Sequence, residues 1–126
     1  MERVMLQVYV NGAADAIRLY EKAFGATLLE IHNTDDGKVF HSELDVDGYI
    51  LSVADRDDSD GINDNTGNIM QFCLHYEKGK ESFVAAAYEA LCENGVIRVP
   101  LGPCVFSDCM ADVVDRFGVR WCIFTA

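Results

Sequence analysis

The sequence predicts an α+β fold built from two copies of one strand–helix–strand–strand–strand (βαβββ) module. A strand followed by a helix occurs near the N-terminus, and the same pair recurs from Ile69 onwards. Each helix is followed by a glycine, Gly25 in the first copy and Gly95 in the second. Short strand-like runs without a further helix follow each glycine. Because the second copy repeats the order and spacing of the first, the chain is interpreted as an internal duplication.

The first module begins with a strand and a helix. Apolar residues alternate along the strand at Val4, Leu6, Val8 and Val10, the period of two that a half-buried strand shows. The period then changes to the spacing of one helical face at Ala16, Leu19, Tyr20, Ala23 and Phe24. We expect these two apolar faces to pack on each other. That arrangement leaves Met5, Gln7 and Tyr9 on the opposite face of the strand.

Three further strands complete the first module. Residues 26–32 read as a strand and are followed by the turn sequence NTDDG. The next strand, 39–46, places Phe40, Leu44 and Val46 on one face and His41, Glu43 and Asp45 on the other. The pair Asp47-Gly48 predicts a tight hairpin turn back into a strand over 49–54.

The second module repeats this order after an acidic linker. We predict a strand over 69–75, a helix over about 82–94 that Gly95 ends, and a strand over 96–99. Two prolines predict a loop at 100–103, because proline does not fit a central strand. Strands near 109–114 and 119–124 follow. The prediction is a single domain, with module one at about 1–55, the linker at about 56–67 and module two at about 68–126.

Composition narrows the class of protein. The chain has 126 residues and a formal net charge of −11, and its lysines and arginines form no cluster. Nucleic-acid binding is therefore not expected, since phosphate contacts need basic patches. No apolar run is long enough to span a membrane, and five cysteines with no C-x-x-C spacing are typical of reduced thiols. We expect a cytoplasmic protein.

Three stretches resemble a known family. They are NGAADAIRLYEKAFGA at 11–26, FHSELDVDGYILSVAD at 40–55 and DRFGVRW at 115–121. With the duplicated module, they resemble the PhnB-like branch of the vicinal oxygen chelate superfamily, which includes glyoxalases, bleomycin resistance proteins and dioxygenases. The resemblance implies curled mixed sheets around a cup-shaped pocket, a small-molecule ligand and a homodimer. Members of the branch often carry a methyltransferase label. The sequence does not support that label, because it has no strand followed by a glycine-rich loop and a helix that would hold S-adenosylmethionine.

The resemblance also implies where a metal would bind. Metal-binding members hold it with a side chain on the first and last strand of each module, and these positions fall on Met5, Ser52, Ile69 and Ile123. None of these side chains is a good ligand for a divalent cation. A shift of the alignment would bring in Gln7 and Gln71 but no carboxylate. We therefore predict no metal and no cofactor.

Polar groups expected to face the pocket are the candidate site residues. His41 is the first candidate as a catalytic residue, because imidazole exchanges protons near neutral pH. The alternative is a structural histidine hydrogen-bonded beside Glu43. The candidate ligand-binding residues are Gln7, Tyr9, Glu43, Ser52, Gln71 and Trp121. For Trp121 the alternative is a place in the core.

Two functions follow from the resemblance. The first is binding of a small, cationic or aromatic molecule in the cup without a catalytic metal. The alternative is a metal-dependent lyase, isomerase or dioxygenase that recruits its ion through His41, Glu43 and a glutamine of the other module.

Overall fold

The structure, a computed structural model, describes residues 1–57 and 69–126. The described residues form two compact units, one on each side of the intervening segment. Most of the predicted acidic linker, about 56–67, lies outside the described residues. Neither helix in the described ranges is long and apolar enough to cross a membrane.

The first unit is a βαβββ module, as predicted. Its elements are β1 (Leu6–Val10), α1 (Ala13–Phe24), β2 (Thr27–Asn33), β3 (Val39–Val46) and β4 (Tyr49–Asp55). They form a four-stranded mixed sheet in the order β1-β4-β3-β2. β1 pairs with β4 in parallel, whereas the β4–β3 and β3–β2 pairs are antiparallel.

The core of the first unit lies between α1 and one face of this sheet. Leu44, Leu51 and Val53 are buried there, together with the apolar face of α1. The prediction that the whole apolar face of β1 is buried was wrong, because Val4 is 71% exposed and Leu6 46% exposed. β1 is an edge strand, and only its last residue, Val10, is fully covered.

The second unit repeats the module with the same strand order. Its elements are β5 (Phe72–Tyr76), α2 (Glu81–Cys92), β6 (Val96–Gly102), β7 (Cys109–Val114) and β8 (Arg120–Thr125), and the sheet order is β5-β8-β7-β6. Val113 and Ile123 are fully buried in the sheet, and Val84 and Leu91 are fully buried on α2. The helix packs on β7 and β8, so these four residues form the centre of the second core.

Three sequence predictions for the second unit need correction. β5 begins at Phe72, and Ile69 lies outside it with 70% of its surface exposed. β6 continues through Pro100 to Gly102, where a loop was expected. Proline is accommodated because β6 is an edge strand with a register shift between Val99 and Gly102.

The third correction concerns the end of α2. The residue with a positive φ there is Asn94, at 57°, and not Gly95. Gly95 is instead required by close packing. A Cβ at this position would lie 2.5 Å from the Val114 carbonyl oxygen and 3.0 Å from that of Leu91. Both obstacles are backbone atoms, which cannot turn away as a flexible side chain would.

Asp55, at the end of β4, holds the start of α1 and the start of β3 together. Its Oδ1 accepts hydrogen bonds from the amides of Gly12, at 3.1 Å, and Ala13, at 2.9 Å. Its Oδ2 accepts one from the Val39 amide at 2.7 Å. Burial alone would raise the pKa of this carboxyl, but the three amide donors lower it below its ordinary value of 3.8.

Substituting Asp55→Asn should destabilise the first unit by about 1–2 kcal/mol at neutral pH, because a cap that serves three amides loses its charge and one acceptor oxygen. The folded pKa is depressed, so this stabilisation is present above the unfolded pKa near 3.8 and is lost as the pH falls towards the folded value. Chemical denaturation at a series of pH values should therefore show that the variant and the natural protein differ less in their free energy of unfolding below that pH. A difference that stays constant down to strongly acidic pH would contradict the assignment, and Asp35→Asn in an exposed turn is the matched control.

Substituting Gly95→Ala should lower the free energy of unfolding by about 1–3 kcal/mol, since the new methyl group forces the end of α2 away from β7. Gly102→Ala is the control. A Cβ at Gly102 has its nearest neighbour at 4.0 Å, so its effect should stay within about 0.5 kcal/mol. Equal melting temperatures for the two variants would contradict the packing described at Gly95.

Candidate functional site

The polar side chains of the first unit gather on one face of its sheet. This face, which we call the distal face, lies opposite α1 and carries Gln7 and Tyr9 from β1, His41 and Glu43 from β3, and Ser52 from β4. The strand register places Gln7 beside Ser52 and Ser52 beside Glu43, in one row across three strands. Directly paired residues point to the same side of a sheet, so the row presents three polar side chains together.

His41 lies between two acceptors on this face. Its Nδ1 is 2.7 Å from Gln7 Oε1, and its Nε2 is 3.1 Å from Glu43 Oε2. Arg3 donates to the other oxygen of Glu43, Oε1, at 3.0 Å. The hydrogen bond from His41 contributes most to lowering the pKa of Glu43 below its ordinary value of 4.5, with Glu30 and Arg3 contributing less. The predicted group of Gln7, His41 and Glu43 is therefore brought together in the structure.

Two residues that the sequence analysis missed extend this group. Glu30 pairs with Glu43 across the β2–β3 ladder, and His32 pairs with His41. His32 Nε2 is 3.2 Å from Glu30 Oε2. The alternation of Glu30 and His32 in an otherwise apolar strand was the available signal. A register shift between Leu28 and Glu30 decides which face they occupy, and the sequence does not show it.

Ser52 occupies the middle of the polar row and is fully buried. Within the described residues its hydroxyl has no hydrogen-bond partner. A buried polar group normally has one. Ser52 is flanked in register by Gln7 and Glu43.

Tyr9 lies at the edge of a depression at the end of the sheet where β1 and β4 finish and β3 begins. The depression has a volume of ≈ 480 Å³. Its walls include Gln7, Tyr9, Phe40 and His41, and apart from Val39 the rest of its lining is charged or polar. Tyr9 is 62% exposed and Phe40 72% exposed, so two aromatic rings are available beside the His41 group. Phe40 had been grouped with the apolar residues of β3, and it is exposed at a register shift in the β2–β3 pairing, where His32 pairs with His41 and Asn33 with Val39.

The two candidate residues of the second unit occupy different environments. Trp121 is 1% exposed, its ring is stacked on Phe72, and its Nε1–H donates to Asp115 Oδ2 at 2.9 Å. The structure thus gives Trp121 the place in the core that was the alternative to a ligand-binding wall. Gln71 is exposed just before β5 and hydrogen-bonds to Asp112, which also forms a two-point ion pair with Arg120.

The four metal positions implied by the resemblance do not suit a divalent cation. Ile123 is fully buried in the core of the second unit, and Ile69 precedes β5. The row equivalent to Gln7 and Ser52 in the second unit is Cys73 and Cys122. Burial raises the pKa of the Cys122 thiol to about 11, so the thiolate that a metal binds is costly to form there. At these positions the first unit offers only the amide oxygen of Gln7, the hydroxyl oxygen of Ser52 and the thioether of Met5.

The distal face of the first unit can bind and protonate a ligand. Each nitrogen of the His41 ring has an oxygen neighbour, Gln7 Oε1 on one side and Glu43 Oε2 on the other, so the ring is held in place from both sides. A histidine held in this way can exchange a proton with a bound molecule, and Glu43 keeps its contact with Arg3. The side chain of His41 is 26% exposed, so a ligand in the depression can reach it.

Comparison with solved structures finds similar folds. The chain aligns with protein PA1353 from Pseudomonas aeruginosa with a TM-score of 0.82 and 22% identity, covering 99% of this chain and 98% of that one. It aligns with a PhnB protein from Bacillus cereus, described as a putative 3-demethylubiquinone-9 3-methyltransferase, with a TM-score of 0.79, 23% identity and full coverage of both chains, 100% each.

A more distant likeness is to fosfomycin resistance protein FosX from Listeria monocytogenes, a variant of which was solved with Mn(II) and 1S,2S-dihydroxypropylphosphonic acid. The TM-score is 0.72 at 6% identity, covering 100% of this chain and 93% of that one. These likenesses concern the fold. Comparison with curated proteins gives no match.

The family itself is identified by sequence. Residues 3–123 match the family described as the Glyoxalase/Bleomycin resistance protein/Dioxygenase superfamily. This match spans both modules, in agreement with the duplicated fold. The chain therefore belongs to the Glyoxalase/Bleomycin resistance protein/Dioxygenase superfamily.

Proposed function

We propose that this protein binds a small cationic or aromatic molecule on the distal face of its first unit, without a metal at the four family positions. The observation that carries this proposal is the hydrogen-bonded group of Gln7, His41 and Glu43 beside two exposed aromatic rings. Tyr9 and Phe40 would hold the flat part of the ligand, and His41 would orient its polar part.

The dimensions and composition of the depression support a small-molecule ligand. A volume of ≈ 480 Å³ is within the range of about 300–1,000 Å³ that ligand pockets occupy. Its lining combines aromatic walls with a few polar groups, which is the usual composition of such sites. Members of the superfamily bind small molecules, so the family supports the same reading.

Charge supports a cation in preference to an anion. The net charge is −11, which raises the local concentration of cations around the whole molecule. Within the depression, Asp36, Asp55 and Asp57 face two basic side chains, Lys38 and Arg56. The exposed ring of Tyr9 adds a surface on which a cation can stack, an interaction worth about 0.5–2 kcal/mol.

Titration with bleomycin in the presence of EDTA tests the proposal, because this cationic, aromatic probe is then metal-free. We expect saturable binding by isothermal titration calorimetry. Tyr9→Ala should weaken it by about 2- to 30-fold through the loss of stacking. Tyr49→Ala is the matched control, because Tyr49 is also an exposed tyrosine, on β4, but does not line the depression.

Three results would contradict the proposal. The first is no binding of bleomycin or of simpler aromatic cations, and the second is an equal loss of affinity in Tyr9→Ala and Tyr49→Ala. The third is binding that is unaffected by raising the salt concentration, since attraction of a cation by a charge of −11 must be screened by salt.

We further propose that the protein is a homodimer, as the family resemblance implies. Exposed apolar residues on the edge strands support this, namely Leu29 and Ile31 on β2 and Val96, Ile97 and Val99 on β6. Sedimentation equilibrium should give twice the chain mass of 14.0 kDa. A mass of one chain at micromolar concentration would contradict this part of the proposal. Lys substitutions at Ile31 and Ile97 should favour the single chain.

A further inference from the structure

Three side chains of the first unit converge at one point, and one of them, Glu30, has no part in the ligand-binding function proposed above. Glu30, His41 and Glu43 each offer one ligand atom, and these atoms lie within 4.8 Å of one another. Ligands of a tetrahedral ion at bond lengths of 2.0–2.2 Å stand about 3.4 Å apart. His41 Nε2 and Glu43 Oε2 already stand 3.1 Å apart. Glu30 is exposed on the edge strand β2, so its carboxylate can move the short distance that closes the triangle.

The hydrogen bond to Gln7 decides which nitrogen of His41 is free. With Gln7 Oε1 as the acceptor, the 2.7 Å contact corresponds to the tautomer that carries its proton on Nδ1. In that tautomer Nε2 has a lone pair directed at Glu43 Oε2. A metal ion bound between this lone pair and the carboxylate would remove the repulsion between them. Gln7 is thus in the position of the partner that orients a metal-binding histidine through its other nitrogen.

The contacts that Arg3 and His32 make with this cluster leave ligand atoms of Glu43 and Glu30 available to an ion. Arg3 holds Oε1 of Glu43, which directs Oε2 towards His41. His32 contacts Glu30 Oε2 and can fix the orientation of that carboxylate. The two charges of Glu30 and Glu43 exceed the single charge of Arg3, so a cation is favoured at the centre.

An independent observation points to the same place. The buried Ser52 hydroxyl, which has no partner among the described residues, lies next to Glu43 in the strand register and on the same face. Its burial at this position is explained if a bound ion and its water complete its hydrogen bonding.

We propose that Glu30, His41 and Glu43 form a binding site for a divalent first-row transition-metal ion, located on β2 and β3 of the first unit. One imidazole and two carboxylates are a donor set that such ions accept. Three protein ligands leave open positions for water or for a polar group of a small molecule. The site differs from the family positions, which lie on the first and last strand of each module. The site goes beyond the proposed function, with which it shares His41 and Glu43, and it rests on a separate observation, the approach of Glu30 to these two residues.

Binding of Mn²⁺ to protein stripped with EDTA and then freed of it tests the site, with the electron paramagnetic resonance signal of free Mn²⁺ as the readout. Mn²⁺ prefers oxygen and imidazole donors, so the five free cysteines do not compete. We expect one ion per chain. Glu30→Gln and His41→Ala should each raise Kd by about tenfold or more, and Gln7→Ala by about tenfold, as loss of an orienting partner does.

Two control variants distinguish binding at this site from nonspecific attraction of Mn²⁺ by the negative net charge of the protein. Glu21→Gln removes the same charge from the exposed face of α1, and His75→Ala removes an imidazole from the second unit. Both should bind Mn²⁺ as the natural protein does. If His41→Ala does not fold, Glu30→Gln still decides, because Glu30 is an exposed residue.

The site is overturned if no saturable Mn²⁺ binding is found, or if Glu30→Gln binds as tightly as Glu21→Gln. Such a result leaves the binding of bleomycin in EDTA untouched. Conversely, loss of bleomycin binding with retained Mn²⁺ binding would overturn the proposed function alone.

Discussion

Parallel pairing of β1 with β4 inserts the N-terminal strand beside the strand that ends the same module, and the site depends on this pairing. It sets Gln7 in line with Ser52, while the antiparallel β3–β4 pairing sets Ser52 in line with Glu43. Gln7 thereby lies in one polar row with Glu43 and Ser52, which are more than thirty positions further along the chain. A shift of β1 by one residue would turn Gln7 towards α1 and replace it with an apolar side chain.

Burying the polar side chains of this row costs free energy unless each of them has a hydrogen-bond or ion-pair partner. Glu43 is 6% exposed, and a carboxylate in such a place needs partners to remain charged. Arg3 and His41 supply them, which explains the depressed pKa of the carboxyl. The contact from Arg3 also ties the segment before β1 to the sheet. Retaining a buried charged group where an apolar residue would pack well is a feature typical of functional sites.

Much of the fold could be predicted from sequence periodicity. β3 has the predicted limits, 39–46, because the turn sequences NTDDG before it and Asp47-Gly48 after it mark both of its ends. Gly25 ends α1 in the left-handed conformation that was expected of it. The errors come from neighbours that the local sequence does not reveal. Pro100 lies in a strand because β6 is at an edge, and Gly95 is required by the Val114 carbonyl.

The site was only partly predictable for the same reason. Strand parity placed Gln7, His41 and Glu43 on one face, and the structure brings them into contact. Glu30 joins them only through the register shift in β2, which depends on pairing with β3. Trp121 was a candidate pocket residue, but it is buried in the core. The hydrogen bond to Asp115 that accompanies this burial could not be predicted from the sequence.

The central claim is that the His41 ring, fixed by Gln7, is the point at which this molecule meets its ligand. Long-range ¹H–¹⁵N NMR of the imidazole nitrogens measures this directly, because the chain has three histidines whose signals can be assigned by substitution. During titration with bleomycin in EDTA, Nδ1 of His41 should remain protonated while the Nε2 resonance moves and the signals of His75 stay in place. Saturation of the protein with the His41 resonances unmoved would contradict the account.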